Sequence, residues 1–179
     1  AFVLVTNADM PLLTVDTLTR LVETQKSNSG PISMLTVIAD DPRGFGRIVR
    51  GADGSVQAIV EEAQATEEQK AIKELNVSAY CFEAEWLWDA LRRIPLSPKG
   101  EYYLTDAVGL AVEAGMSVQA LTLTNPVDAV GVNTRVHLSE AEASMRSRVN
   151  QMHMFNGVTF IDERSTYIGM DVEIGQDTV

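Results

Sequence analysis

Apolar and polar positions alternate along this chain in two rhythms, and the switches between them mark the elements. Phe2-Val3-Leu4-Val5 is a continuous apolar run, the pattern of a strand buried on both faces in a parallel sheet with neighbours on either side. A turn at Asn7-Ala8-Asp9-Met10-Pro11-Leu12 follows, and Thr14 is placed to cap a helix whose stripe is Val15, Leu18, Leu21 and Val22. Strand, acidic turn and helix together make half of a βαβ unit. Ile32 to Ile38 reads as a second buried strand. The stretches 46–50 and 56–61 form a hairpin about Ala52-Asp53-Gly54. Thr66-Glu67-Glu68-Gln69 has the form of a capping box opening a short helix, and Leu75 to Phe82 is the next strand.

Trp86, Leu87, Ala90, Leu91 and Ile94 fall at helical spacing, with Pro95 and Pro98 as the stop. Thr105 to Ala114 is a further helix, ended by Gly115, and Val118 to Leu123 a strand. Strands alternating with helices predict an α/β fold with a mostly parallel sheet. Thr134 to Met154 contains neither Gly nor Pro. Its stripe of Leu138, Ala141, Met145, Val149 and Met152 is broken by charges, which suits a connector helix. From Ile168 to Val179 the rhythm becomes six residues long, with Ile168, Val172, Ile174 and Val179 set among Gly and polar turn residues. That is a hexapeptide β-helix signature, and one such coil cannot bury its apolar side alone. The apolar first residues and the unfinished solenoid lead us to expect a sequence cut at both ends.

Composition narrows the function. The 179 residues carry 14 Lys+Arg against 25 Asp+Glu, a net charge of −11, and 45% are hydrophobic. The apolar content supports a real core and excludes global disorder. The acidic balance, with scattered basic residues, argues against nucleic acid and anionic membrane surfaces as partners. No apolar stretch reaches the ~20 residues of a membrane span. The single cysteine, Cys81, excludes an internal disulfide and suits a reducing cytoplasm; within an apolar strand it reads as a small core residue.

Ligands of open α/β sheets gather beyond strand ends, where Asp9 stands. Asn133 follows the apolar stretch 127–132. Carboxylate and amide oxygens suit Mg²⁺, which takes only one or two protein groups, although each residue is equally a turn or cap former. Gly46, before Arg47, allows a close backbone approach to a ligand or simply a bulge. Glu61 and Glu62 end a strand pointing opposite ways, so one of them can face a cleft. Asn76 can hydrogen-bond a sugar hydroxyl or its own turn. His137 and His153 are too isolated for a metal site and read as surface or packing residues. Gly-x-Ser-x-Gly, Cys-x-x-Cys, His-Glu-x-x-His and Walker motifs are all missing from the sequence.

Taken in order, Asn7-Ala8-Asp9-Met10-Pro11-Leu12, Asp41-Pro42-Arg43-Gly44-Phe45-Gly46-Arg47-Ile48, Ile59-Val60-Glu61-Glu62, Glu74-Leu75-Asn76, Gly100-Glu101-Tyr102-Tyr103-Leu104-Thr105-Asp106 and Gly131-Val132-Asn133-Thr134-Arg135 resemble successive motifs of the bacterial bifunctional N-acetylglucosamine-1-phosphate uridyltransferase / glucosamine-1-phosphate N-acetyltransferases. The resemblance spans essentially the whole chain. It implies a Rossmann-like nucleotidyltransferase domain, here its later part over 1–133, a linker helix over 134–155, and the first coils of a left-handed β-helix over 156–179. It implies Mg²⁺ on Asp9 and Asn133. Gly46, Glu61 and Asn76 would contact the sugar nucleotide, Asn7 would line the site beside Asp9, and Thr105 would lie near the sugar phosphate.

The implied reaction joins UTP and N-acetylglucosamine-1-phosphate into UDP-N-acetylglucosamine and pyrophosphate. The same resemblance implies an acetyl-CoA site and a homotrimer in the whole protein. The Gly-rich triphosphate loop is expected upstream of residue 1 and the acetyl-CoA site downstream of Val179, so this stretch alone is expected to be inactive. Three positions depart from the family pattern: Ala8 and Ser78 stand where glycine is usual, and Val77 where a small residue is usual. Two alternatives are another sugar-1-phosphate nucleotidyltransferase, thymidylyl or guanylyl, and a non-catalytic subunit that senses sugar nucleotides or forms trimers.

Overall fold

A computed structural model of the chain describes residues 1–97 and 99–179; the expected helix stop at Pro98 lies outside the described residues. Six strands among them form one sheet: β1 (Phe2–Val5), β2 (Ile32–Ile38), β3 (Arg47–Arg50), β4 (Val56–Val60), β5 (Glu74–Glu83) and β6 (Val118–Thr122). The helices are α1 (Val15–Ser27), α2 (Glu67–Lys70), α3 (Ala84–Leu91), α4 (Asp106–Glu113) and α5 (Arg135–Phe155). The chain divides into two compact units. The first holds 1–8 and 13–129, the second 9–12 and 130–179.

The sheet is mixed, which corrects the expectation of a mostly parallel one. Its order is β4-β3-β5-β2-β6, with β1 also on β5, and among the described residues only β2 and β6 pair in parallel. The cause is β5. β2 runs antiparallel along one edge of β5 from Phe82 to Glu74, while β1, at Tyr80–Glu83, and β3, at Leu75, share the other edge. The β1-α1-β2 unit is therefore parallel within itself, with β5 inserted between its two strands. Sequence periodicity reports which residues are apolar, and it is silent on a strand that arrives later to divide a pair.

β1 is corrected too. It alternates rather than being buried on both faces: Val3 and Val5 pack on the core, while Phe2 and Leu4 are 45% and 41% exposed. It pairs with β5 alone.

Local signals fare better. Thr14 Oγ1 accepts from the Thr17 amide at 3.1 Å and starts α1; Thr66 and Gln69 close the expected capping box on α2; Thr134 caps α5 through the His137 amide at 3.2 Å. α3 stops at Leu91, short of Ile94, because the residue before Pro95 is disfavoured in helical geometry. The core of the first unit gathers Ile32, Met34, Ile48, Tyr80, Phe82 and Val108 between the sheet and helices α3 and α4. Cys81, between Tyr80 and Phe82 on β5, is fully buried, and burial pushes its thiol pKa up.

In the second unit, Leu12, Val130 and Ala141 form a small core with Val132 and Met145. Val149 and His153 are buried on α5, so His153 is a packing residue. Residues 156–179 hold a 3-10 turn, Glu163–Ser165, and further turns, with no strand among the described residues. The segment returns on itself all the same: the Thr159 amide donates to Thr178 O and the Asp177 amide to Gly157 O, both at 2.9 Å. Asn150, fully buried, donates from Nδ2 to the carbonyls of Glu163 and Thr166 at 2.9 and 3.0 Å.

Candidate active site

Four of the sequence-derived residues meet in the first unit, where the start of β3, the end of β4 and the start of β5 converge. Arg47 is the shared register point, opposite Val60 on one side and Leu75 on the other. Gly46 O accepts from the Asn76 amide at 2.8 Å. A Cβ at Gly46 would lie 2.9 Å from Ile59 Cγ2 and 3.6 Å from Glu61 Oε2, so close approach rather than an unusual φ requires glycine here. Glu61 Oε1 accepts from Thr105 Oγ1 at 3.0 Å. Thr105 stands at the N-terminus of α4 without capping it; its hydroxyl is turned to Glu61 instead. It also borders a cleft of about 410 Å³ lined by Ala58, Ile59, Asp106 and Leu110, in which burial raises the Asp106 carboxyl pKa.

Asn76 is held differently from the expectation of a side chain offered to a sugar. It is buried; its Oδ1 accepts from the Ser78 amide and from Tyr80 Oη, and its Nδ2 donates to Tyr80 Oη at 2.8 Å. Burial above all, with the charge of Glu61 adding to it, pushes the Tyr80 phenol far up. Tyr103, bonded to Glu101 at 2.6 Å, is raised chiefly by that bond. Ser78 itself sits at φ 58°, in the left-handed region that favours glycine, within an irregular stretch of the β2–β5 ladder. Asn7 is exposed just beyond β1, whose register ends at Val5 opposite Tyr80.

Asp9 and Asn133 belong to the second unit. The Val132 amide donates to Asp9 O at 2.8 Å, which sets Asn133 next in line. The turn is anchored further by Arg148 Nη1, which donates to Leu12 O at 2.8 Å. Asp9 Oδ1 is buried without a hydrogen-bond partner, an arrangement that costs free energy unless something else satisfies it. Asn133 is exposed, and its amide donates to His137 Nδ1 at 3.4 Å. Among the described residues no three His, Cys, Asp or Glu side chains cluster. An orphan carboxylate oxygen on Asp9 is a hard ligand, and such oxygen donors fit Mg²⁺, which needs few protein groups, better than they fit zinc.

The sequence model of the nucleotidyl transferase family matches residues 1–127. The chain belongs to the nucleotidyl transferase family. All the candidate site residues except Asn133 fall inside the match. The chain is 48% identical over 177 residues to the bifunctional protein GlmU of an Exiguobacterium species, covering 98% of the chain and 39% of that relative. It is 48% identical over 172 residues to the protein of the same name from Clostridium beijerinckii, covering 96% and 37%. The nucleotidyl transferase chain thus spans about two fifths of the length of these relatives. Its fold is similar to a Bacillus anthracis protein described as a glucose-1-phosphate thymidylyltransferase, with TM-score 0.61, 17% identity and coverage of 94% and 56%. A nucleoside-diphosphate-sugar pyrophosphorylase from Vibrio cholerae is similar at TM-score 0.56 and 12% identity, with coverage of 78% and 55%. Among the described residues no helix is long and apolar enough to cross a membrane.

Sequence reasoning missed Arg47 and Tyr80, and it left open which of Glu61 and Glu62 faces the cleft. Arg47 enters the sequence reading only as the neighbour of Gly46. Pairing the hairpin outward from Ala52-Asp53-Gly54 is the signal that could have found it, since that register brings Arg47 opposite Val60 and hence close to Glu62.

Proposed function

We propose that the protein carrying this chain transfers the uridylyl group of UTP to N-acetylglucosamine-1-phosphate. The phosphate oxygen of the sugar attacks the α-phosphorus of UTP, the bond to the leaving pyrophosphate breaks, and UDP-N-acetylglucosamine forms. The attacking oxygen is already anionic, so the protein's task is alignment and charge neutralisation rather than proton abstraction. The observation that carries the reading is the convergence of Gly46, Glu61 and Thr105 at one strand junction in a nucleotidyl transferase whose relatives are named bifunctional protein GlmU.

In this reading Gly46 lets the backbone lie close against Ile59 and Glu61 and so keeps Glu61 at the sugar nucleotide. Glu61, aimed by Thr105, accepts from sugar hydroxyls. Asn76 acts from its backbone and through the Tyr80 bond rather than from a free amide, and Asn7 lines the approach. Asp9 and Asn133 would hold Mg²⁺, with the orphan Asp9 Oδ1 as the supporting observation. When bound, the ion supplies positive charge to the phosphates, which this acidic chain otherwise lacks.

The domain reading is part of the proposal: nucleotidyltransferase over 1–133, linker helix over 134–155 and β-helix coils from 156 onward. The return of the chain on itself after about three hexapeptides supports the last of these. A trimer and an acetyl-CoA-dependent acetylation of glucosamine-1-phosphate in the full-length protein follow from the same resemblance, as does a cytoplasmic location.

The test is pyrophosphate release by the full-length protein with N-acetylglucosamine-1-phosphate, Mg²⁺ and each of UTP, dTTP and GTP. UTP is the expected substrate. Turnover of dTTP or GTP without UTP overturns the proposal, and unchanged Mg²⁺-dependent activity in Asp9→Asn removes Asp9 from the metal site.

A further inference from the structure

Arg47 has a place that the reaction just described does not use. Its side chain is 1% exposed at the first residue of β3. Nη1 donates to Phe45 O, Nη2 lies 2.5 Å from Glu62 Oε2, and Nε is buried without a hydrogen-bond partner. The Glu62 side chain is 40% exposed, but its Oε2, the oxygen facing Arg47, is buried, so the two charges meet below the surface. Burying a guanidinium is costly, and a buried ion pair can often be replaced by apolar side chains of similar size with no loss of stability. Folding alone therefore does not demand arginine here.

An apolar residue would fill the space, but it would not fix a carbonyl and a carboxylate in direction. Arg47 does so at the point where both matter. Phe45 precedes Gly46 and Glu62 follows Glu61, so one planar fork ties together two segments that each carry a candidate site residue, while the backbone register of Arg47 sets it opposite Leu75, the residue before Asn76.

We propose that Arg47 is a positioning residue for the sugar-1-phosphate half of the site, with Glu62 as its counter-charge; the inference rests on the function proposed above. Lysine would restore the charge without the fork and would restore positioning only in part.

The experiment is steady-state kinetics of the full-length protein, with KM for N-acetylglucosamine-1-phosphate and for UTP measured separately, alongside thermal melting. The variants are Arg47→Lys, Glu62→Gln, and Arg47→Met combined with Glu62→Gln. The double variant is expected to melt near the wild-type temperature while its sugar-phosphate KM rises ~10-fold or more and its UTP KM stays put. Arg47→Lys and Glu62→Gln are expected to raise the same KM by less. An unchanged sugar-phosphate KM in any folded variant overturns the inference, as does a loss of activity that follows the folded fraction with both KM values intact. Arg47→Lys keeps a cation opposite Glu62 and decides the matter if the double variant fails to fold. Lack of nucleotidyl transfer in the wild type overturns the underlying reading instead, and that is seen before any variant is compared.

Discussion

Thr105 donates its hydroxyl to Glu61 across 44 residues of sequence, at 3.0 Å, and so aims a carboxylate that stands at the end of a strand. A helix-initial threonine ordinarily turns its hydroxyl to its own helix, and here α4 begins without that cap. Thr105→Val keeps the shape and removes the donor. A hydrogen bond to a charged group in a half-exposed place is worth about 1 kcal/mol, or roughly fivefold in affinity. The sugar-phosphate KM should rise by that factor with little change in melting temperature. A variant with wild-type KM would show that Glu61 is aimed by something else.

Ser78 explains a departure from the family pattern in physical terms. At φ 58° a side chain strains the backbone, and glycine, usual at this place in the family that the sequence resembles, does not. Its hydroxyl accepts a long bond from Asn76 Nδ2 at 3.3 Å and bonds to the Tyr80 phenol. Ser78→Gly should therefore stabilise the protein by about 1 kcal/mol, or roughly 2–4 °C in melting temperature. Ser78→Val should do the reverse. A lower melting temperature in the glycine variant would mean that the bonds of the Ser78 hydroxyl outweigh the backbone strain.

Glu74 and Arg50 join β5 to β3 by a two-pronged ion pair, both bonds at 2.7 Å. Burial works to raise the Glu74 pKa, but the bonds to Arg50 and Thr36 and the charge of Arg50 together bring it below the ordinary value. A carboxyl depressed in the folded state contributes stability above its unfolded pKa and loses it as the pH falls through the folded one. The stability difference between wild type and Glu74→Gln should be constant at neutral pH and shrink from about pH 5 downward. With Arg50 partly exposed, the plateau should be no more than ~1 kcal/mol. Urea unfolding at a series of pH values measures it, and a difference that grows toward acid would reverse the sign assigned here.

How much of this was legible beforehand depends on distance along the chain. The caps at Thr14, Thr66 and Thr134 and the hairpin at Ala52-Asp53-Gly54 are settled by neighbours within a few residues, and the sequence patterns at those places match what formed. The insertion of β5 between β1 and β2 depends on pairings far apart in sequence, which hydrophobic periodicity does not encode, so the sheet was read as mostly parallel. The site divides the same way. Gly46, Glu61, Asn76 and Thr105 were picked out by resemblance to family motifs, whereas the Tyr80 bond to Asn76 and the burial of Arg47 appear only once the three strands are assembled.

Asn150 is the second unit's counterpart to these long-range ties. Its single Nδ2 group holds the carbonyls of Glu163, the first residue of the 3-10 turn that follows α5, and of Thr166, just past its end, while its Oδ1 is buried with no partner. The amide nitrogen is thus the functional half of the side chain. Asn150→Ala removes two hydrogen bonds and should cost about 2 kcal/mol. Asn150→Asp has nearly the same shape but sets a carboxylate oxygen against two carbonyl oxygens, so it should cost more than the alanine variant although less of the side chain is lost. Hydrogen exchange over residues 162–168 should accelerate in the order wild type, Asn150→Ala, Asn150→Asp. An aspartate variant as protected as the wild type would show that the turn is held by its own local bonds, such as Thr166 Oγ1 to Asp162 O at 2.6 Å, and not by α5.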